Sequence, residues 1–140
     1  MKNTIFIACL FGSLFCGSCK KGNAPTESGS LSISPTEEII GKWNFVKMGS
    51  SRPVGSEEVF TTMPTGSYYD FQSNSTLYKK STSTTQTRWS LINNGSTLKF
   101  DDQLNVNFIV STLNSTQLIF YADTEDLNHV TTRTVYYFTR

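Results

Sequence analysis

From Gly41 to the C-terminus the chain alternates apolar and polar residues in short runs, each closed by a cluster of Ser, Asn or Gly. A period of two puts successive side chains on opposite faces of a strand, a pattern no amphipathic helix produces. The spacing predicts strands over 41–48, 67–72, 76–81, 86–92, 97–101, 105–111, 117–122 and 130–139. Three of the junctions, Ser73-Asn74-Ser75, Asn93-Asn94-Gly95 and Asn114-Ser115, are too short for anything but hairpins, and the Asn94-Gly95 dipeptide carries the strongest of these turn signals. Composition agrees: 37 Ser and Thr, ten Phe, six Tyr and three Ala in 140 residues favour pleated, half-buried surfaces over helices.

Eight short strands joined by tight turns read as an up-and-down meander, and eight antiparallel strands close most simply into a barrel. The expected fold class is therefore all-β, an eight-stranded antiparallel up-and-down barrel preceded by one helical turn. Ser34-Pro35-Thr36-Glu37 has capping-box spacing with Pro at the first helical position, so that turn runs to Ile39 and stops at Gly41. Alternation places Trp43, Phe45, Tyr69, Phe71, Leu77, Trp89, Leu91, Leu98, Phe100, Phe108, Leu118, Phe120, Tyr136 and Phe138 inside. Lys42, Asp70, Arg88, Ser90, Lys99, Asn107 and Gln117 fall outside. Residues 49–66 hold Gly and Pro without alternation and read as a long loop, with a helical turn expected around Glu57-Glu58-Val59-Phe60.

The first 18 residues have the form of an export leader: Met1-Lys2-Asn3 opens an apolar run over 5–15 that is too short to span a bilayer. All three cysteines, Cys9, Cys16 and Cys19, lie at or before position 19, so no disulfide can staple the domain. Gly17-Ser18-Cys19 resembles a bacterial lipobox, which makes Cys19 the expected lipidated first residue of the mature chain. Residues 19–33 then form a polar tether and 34–140 the folded domain. A multiply acylated cysteine anchors a protein stably where one chain would not. Lys20-Lys21 puts no Asp after the cysteine, so the expected location is the outer membrane of a bacterial cell envelope.

Charged residues make up 16% of the chain with a formal net charge of +1, which leaves no field to draw nucleic acid. Catalytic chemistry finds little to stand on. His129 is the single histidine and sits beside Asn128 at a turn, and Asp101-Asp102 flank a turn with side chains on opposite faces. Asp123, Glu125, Asp126 and Asn128 crowd one loop but lack the Gly and terminal Glu of a calcium loop. The expectation is no enzyme, no metal and no cofactor.

Gly41-Lys42-Trp43 at the head of the first strand, a preceding helical turn, a long first loop and seven hairpin-linked strands together resemble the lipocalins. The body is more closely similar to the lipocalin-like domains of bacterial lipoproteins, with Tyr69-Asp70-Phe71-Gln72-Ser73-Asn74, Trp89-Ser90 and Leu113-Asn114-Ser115-Thr116-Gln117-Leu118 in the same order. The resemblance covers about residues 39–140. It implies that Gly41 and Trp43 are a structural signature, with Trp43 closing the bottom of the barrel under a late arginine, Arg133 or Arg140. It also implies a cup for a small apolar or amphipathic molecule. An up-and-down barrel runs its first strand from the closed end to the open one, so the 49–66 loop should cover the mouth. Tyr69, Trp89, Phe108, Phe120 and Tyr136 are then the expected wall of the cup, and Phe60 and Met63, with Val59, its movable apolar lid. The rival reading is a filled barrel serving as an accessory subunit of an envelope complex through the strands around Ile109 and Ile119, which are apolar on both faces. Solid packing of Phe71, Trp89, Phe100 and Phe120 would favour the rival.

Overall fold

The computed structural model describes residues 33–140, so the expected leader, most of the expected tether and Cys19 lie outside the described residues. The described part opens with helix α1 (Pro35–Ile39), which has the expected capping box: the Glu37 amide donates to Ser34 Oγ at 3.3 Å and the Ser34 amide to the Glu37 carboxylate at 3.1 Å. Nine strands follow among the described residues: β1 (Gly41–Ser51), β2 (Val59–Thr62), β3 (Tyr68–Phe71), β4 (Thr76–Lys80), β5 (Thr84–Ile92), β6 (Thr97–Phe100), β7 (Phe108–Leu113), β8 (Gln117–Glu125) and β9 (Thr131–Thr139).

All neighbours in the sheet are antiparallel, and β1 pairs with β9 to close the barrel. Nine strands make eight staves because β2 and β3 lie in tandem along one edge of β1: Ser50 to Lys47 face Val59 to Thr62, and Asn44 to Gly41 face Tyr68 to Phe71. The chain steps out of the ladder between them, where Pro64 supplies no amide to it. It re-enters at Ser67, whose carbonyl accepts the Phe45 amide at 2.9 Å.

This corrects the reading of 49–66. Val59–Thr62 is a strand, not a helical turn, and β1 continues to Ser51. A bulge between Phe45 and Lys47 hid the continuation: one extra residue, Val46, inverts the alternation, so Met48 rather than Lys47 takes the inward place opposite Tyr136. A second bulge between Val110 and Thr112 turns Leu113 inward against Leu118 and carries β7 past its expected end. At the start of that strand, residues 105–107 are not paired, because Asp101–Gln103 winds into a 3-10 turn first.

The interior is otherwise the expected one. Trp43, Phe45, Phe71, Leu77, Trp89, Leu98, Phe100, Phe108, Leu118, Phe120 and Phe138 are buried, joined by Ile39 and Ala122, while Tyr69, Leu91 and Tyr136 are partly buried against them. Their rings interlock through the middle of the barrel: Phe120 lies 5.1 Å from Tyr136, 5.3 Å from Phe138, 5.5 Å from Phe108 and 6.0 Å from Phe100. Offset and edge-on aromatic pairs at these separations add to the burial of their area.

Candidate functional site

The two ends of the barrel differ. At the end where β1 begins, α1 and the hairpins after β3, β5 and β7 close the floor. Trp43 is fully buried there, and its indole N–H donates to the Ile39 carbonyl at 2.8 Å. Arg140 is the late arginine: its guanidinium carbon stands 3.9 Å from the Trp43 ring centre, and its Nη2 donates to the carbonyls of Glu38 and Ile40. Arg133 is bound instead by Asp123 through two contacts of 2.7 Å and lies over Tyr121, on the outer wall.

The expected wall of the cup belongs mostly to the core. The Trp89 indole N–H donates to the carbonyls of Gln72 and Thr76, each at 3.2 Å, so it braces the β3–β4 hairpin at the closed end. Phe108 and Phe120 are buried within the ring cluster. Phe71, Trp89, Phe100 and Phe120 are all buried in the core cluster through the middle of the barrel.

What is open is the mouth. A cavity of about 230 Å³ lies there, lined by Phe45, Tyr69, Lys79 and residues of the β4–β5 hairpin. Lys79 follows Leu77 at the inward spacing on β4. Its ammonium reaches across to within 5.5 Å of the Phe100 ring centre and pairs with Asp102 on the 3-10 turn at the rim. The Lys79 side chain is only 14% exposed, whereas that of Asp102 is 42% exposed. The Asp102 amide donates to the buried Thr87 hydroxyl at 3.2 Å, which ties the turn to β5.

Tyr69 stands beside Lys79, directly across the β3–β4 ladder, its ring 5.6 Å from Phe45 and 4.9 Å from Phe138. Burial pushes its phenol well above the usual tyrosine range, and the nearby Tyr136 and Asp102 push the same way. No hydrogen bond from another described residue contributes there. Burial raises Tyr136 as well. Asp102 was weighed in the sequence only as half of a carboxylate pair at a turn, and Lys79 was not singled out. The signal was present, since Lys79 occupies an inward position by the same alternation that placed Leu77.

The expected lid is corrected too. Phe60 points outward and is half exposed, with its ring 6.0 Å from Tyr137 and the Lys47 ammonium 3.7 Å from its centre. Glu58 accepts from the Tyr137 hydroxyl beside it. Val59 is 71% exposed, and Met63 packs against the core. Removing 56–65 would therefore delete β2 and a stretch of the ladder, not a free flap.

Other features are structural or lie on the outer wall. His129 pairs with Glu125 at the β8–β9 turn, where Asp126 accepts the Asn128 and Val130 amides and pairs with Arg52. Among the described residues no group of acidic, His or Cys side chains is placed to hold a metal. Asn74 and Asn114 accept backbone amides within their own turns. A groove of about 170 Å³ beside Val46, Ile119 and Tyr137 lies on the outer face.

Residues 39–120 match the family model of the lipocalin-like domain. Among solved structures, a deswapped triple mutant of bovine odorant-binding protein is similar at 20% identity over 74% of each chain, with a TM-score of 0.44. No curated protein sequence matches the chain. With that match over more than half its length and the barrel described above, the chain belongs to the lipocalin-like domain family.

Proposed function

We propose that this protein is a lipid-anchored lipocalin-like barrel of the bacterial cell envelope that binds a small amphipathic molecule at its mouth. The observation that carries the reading is the cavity between Phe45, Tyr69 and Lys79, the place where the packed interior opens to solvent. It offers aromatic faces beside a charged group, which suits a ligand with an apolar body and a polar end. The volume of about 230 Å³ limits how much of the ligand is enclosed. Membrane attachment rests on the lipobox resemblance at Cys19. The Cys19→Ala variant should lose incorporation of labelled fatty acid and move to the soluble fraction, while the Cys16→Ala variant should do neither.

Binding is tested with phenylnaphthylamine, a neutral apolar probe whose fluorescence rises out of water. Ser83→Trp should fill the mouth and abolish the signal, while Ile119→Ser on the outer wall should leave it unchanged. The second reading, an accessory subunit docking through its outer face, is favoured by the packed interior and by the apolar groove at Val46, Ile119 and Tyr137. It gains if the two variants behave the other way round.

A further inference from the structure

The mouth contains an ion pair between a shielded lysine and a more exposed aspartate. Lys79 is held on a paired strand with most of its side chain shielded, while its counter-ion Asp102 sits on the rim turn, two-fifths exposed. With its carboxylate open to solvent, the pairing itself is weakened by screening. An ammonium drawn into a cavity, on the other hand, is costly to leave without an anion. The cation is thus the fixed member, and the carboxylate is the one that another anion can replace. The phenol of Tyr69 lines the same cavity, and Asp102 is close enough to act on it electrostatically. An anion seated on Lys79 in place of Asp102 would have this hydroxyl as a further donor.

We propose that the ligand at the mouth carries one anionic group, a carboxylate, sulfonate or phosphate ester, that binds Lys79 with help from the Tyr69 hydroxyl and displaces Asp102, which acts as a built-in competitor. The apolar remainder then lies on Phe45 and the Tyr69 ring. Lys80 also lines the cavity, but it falls at the alternate position on β4, with its ammonium 5.9 Å from the ring centre of Tyr68. This inference rests on the mouth being the binding site.

The test pairs phenylnaphthylamine with anilinonaphthalene sulfonate, which has the same rings plus one anionic group, in fluorescence titrations of the full chain. The sulfonate probe should bind more tightly than the neutral one. Lys79→Gln should weaken it about tenfold, the loss of one charged hydrogen bond, while changing the neutral probe less than about twofold. Asp102→Asn should do the opposite and tighten the sulfonate probe, because it removes the competitor and leaves the backbone amide on Thr87. Two variants with opposite signs keep the test decisive if Lys79→Gln fails to fold. Sulfonate affinity that Asp102→Asn lowers or leaves unchanged, or that Lys79→Gln affects no more than the neutral probe, overturns the anion assignment. Failure of the neutral probe to bind the unaltered protein, or its loss only on outer-wall substitution, overturns the mouth reading itself.

Discussion

The floor and the mouth of this barrel leave their polar groups in different conditions. At the floor, Trp43 and Trp89 both donate to backbone carbonyls, and Arg140 joins the Trp43 face to the carbonyls after α1. At the mouth, Lys79 has a replaceable partner and the Tyr69 hydroxyl gains nothing from a hydrogen bond. A polar group whose bonds are answered within the barrel specifies the fold, and one at the rim without a protein partner is open to a ligand. On the proposed function, the barrel keeps its stability at one end and binds its ligand at the other.

The sharpest way to break this contrast is to cut each end in turn. Trp43→Ala should destabilise the protein by about 3–5 kcal/mol, the usual cost of emptying a fully buried aromatic site. Lys79→Met should shift stability by less than about 1 kcal/mol, since it removes a pair whose carboxylate is solvent-screened and keeps the apolar stem. Urea midpoints with unchanged slopes measure both. Equal losses would make the mouth as structural as the floor.

Substitutions at three floor positions sharpen the comparison at smaller scale. Gly95 has φ of +87°, and a Cβ there would stand 2.5 Å from Pro35 of α1. Gly95→Ala should cost about 1–2 kcal/mol through backbone conformation alone, with the helix contact adding to it. Asn94→Ala, in the same hairpin but at a different turn position, tests the turn without the Pro35 contact and should cost less in the same urea series. Arg140→Ala should cost about 1 kcal/mol, from the ring contact and the carbonyl bonds. A loss of the same size on Arg140→Lys would show that the planar group matters, because an ammonium makes one point contact where the guanidinium stacks.

The same contrast shows what could be read from the sequence. Strand order, hairpins and the interior face followed from alternation and turn residues, as did α1 from its capping box. The late arginine was narrowed to two by resemblance, and geometry chose Arg140. The hairpin after β5 was found from Asn94-Gly95, but both Asn93 and Asn94 have positive φ, so the turn proper is Asn93-Asn94. Gly95 follows it, at the approach of Pro35. The bulges at Val46 and Ser111 were not legible, because an inserted residue looks like ordinary sequence until its partner strand is known. The 49–66 stretch was misread for the same reason: β2 is defined by its pairing with β1, and Val59-Phe60-Thr61-Thr62 is exposed throughout. At the mouth, alternation found Tyr69. It would also have found Lys79, had a charge at an inward position been weighed as a site instead of passed over in a list of apolar residues.

The smallest effect at neutral pH is the most discriminating. Tyr69→Phe keeps the ring and its contacts with Phe45 and Phe138 and removes only a hydroxyl that no hydrogen bond supports, so stability at pH 7 should move by no more than about 0.5 kcal/mol. Raising the pH separates the two proteins. In the unfolded chain the phenol ionises near pH 10, while in the folded barrel burial keeps Tyr69 protonated to higher pH. Between those two points the unfolded state has released a proton that the folded state retains, so the contribution is complete below about pH 10 and is lost as pH rises. The unaltered protein should therefore fall behind Tyr69→Phe by up to about 1.4 kcal/mol per pH unit above that point. The variant keeps a shallower slope of its own from Tyr136 and Tyr137, whose phenols are also raised. Urea midpoints measured from about pH 8 to about pH 11 check this. Parallel curves would mean that water reaches the Tyr69 hydroxyl as freely in the barrel as in the unfolded chain, and the difference between floor and mouth would then be one of packing alone.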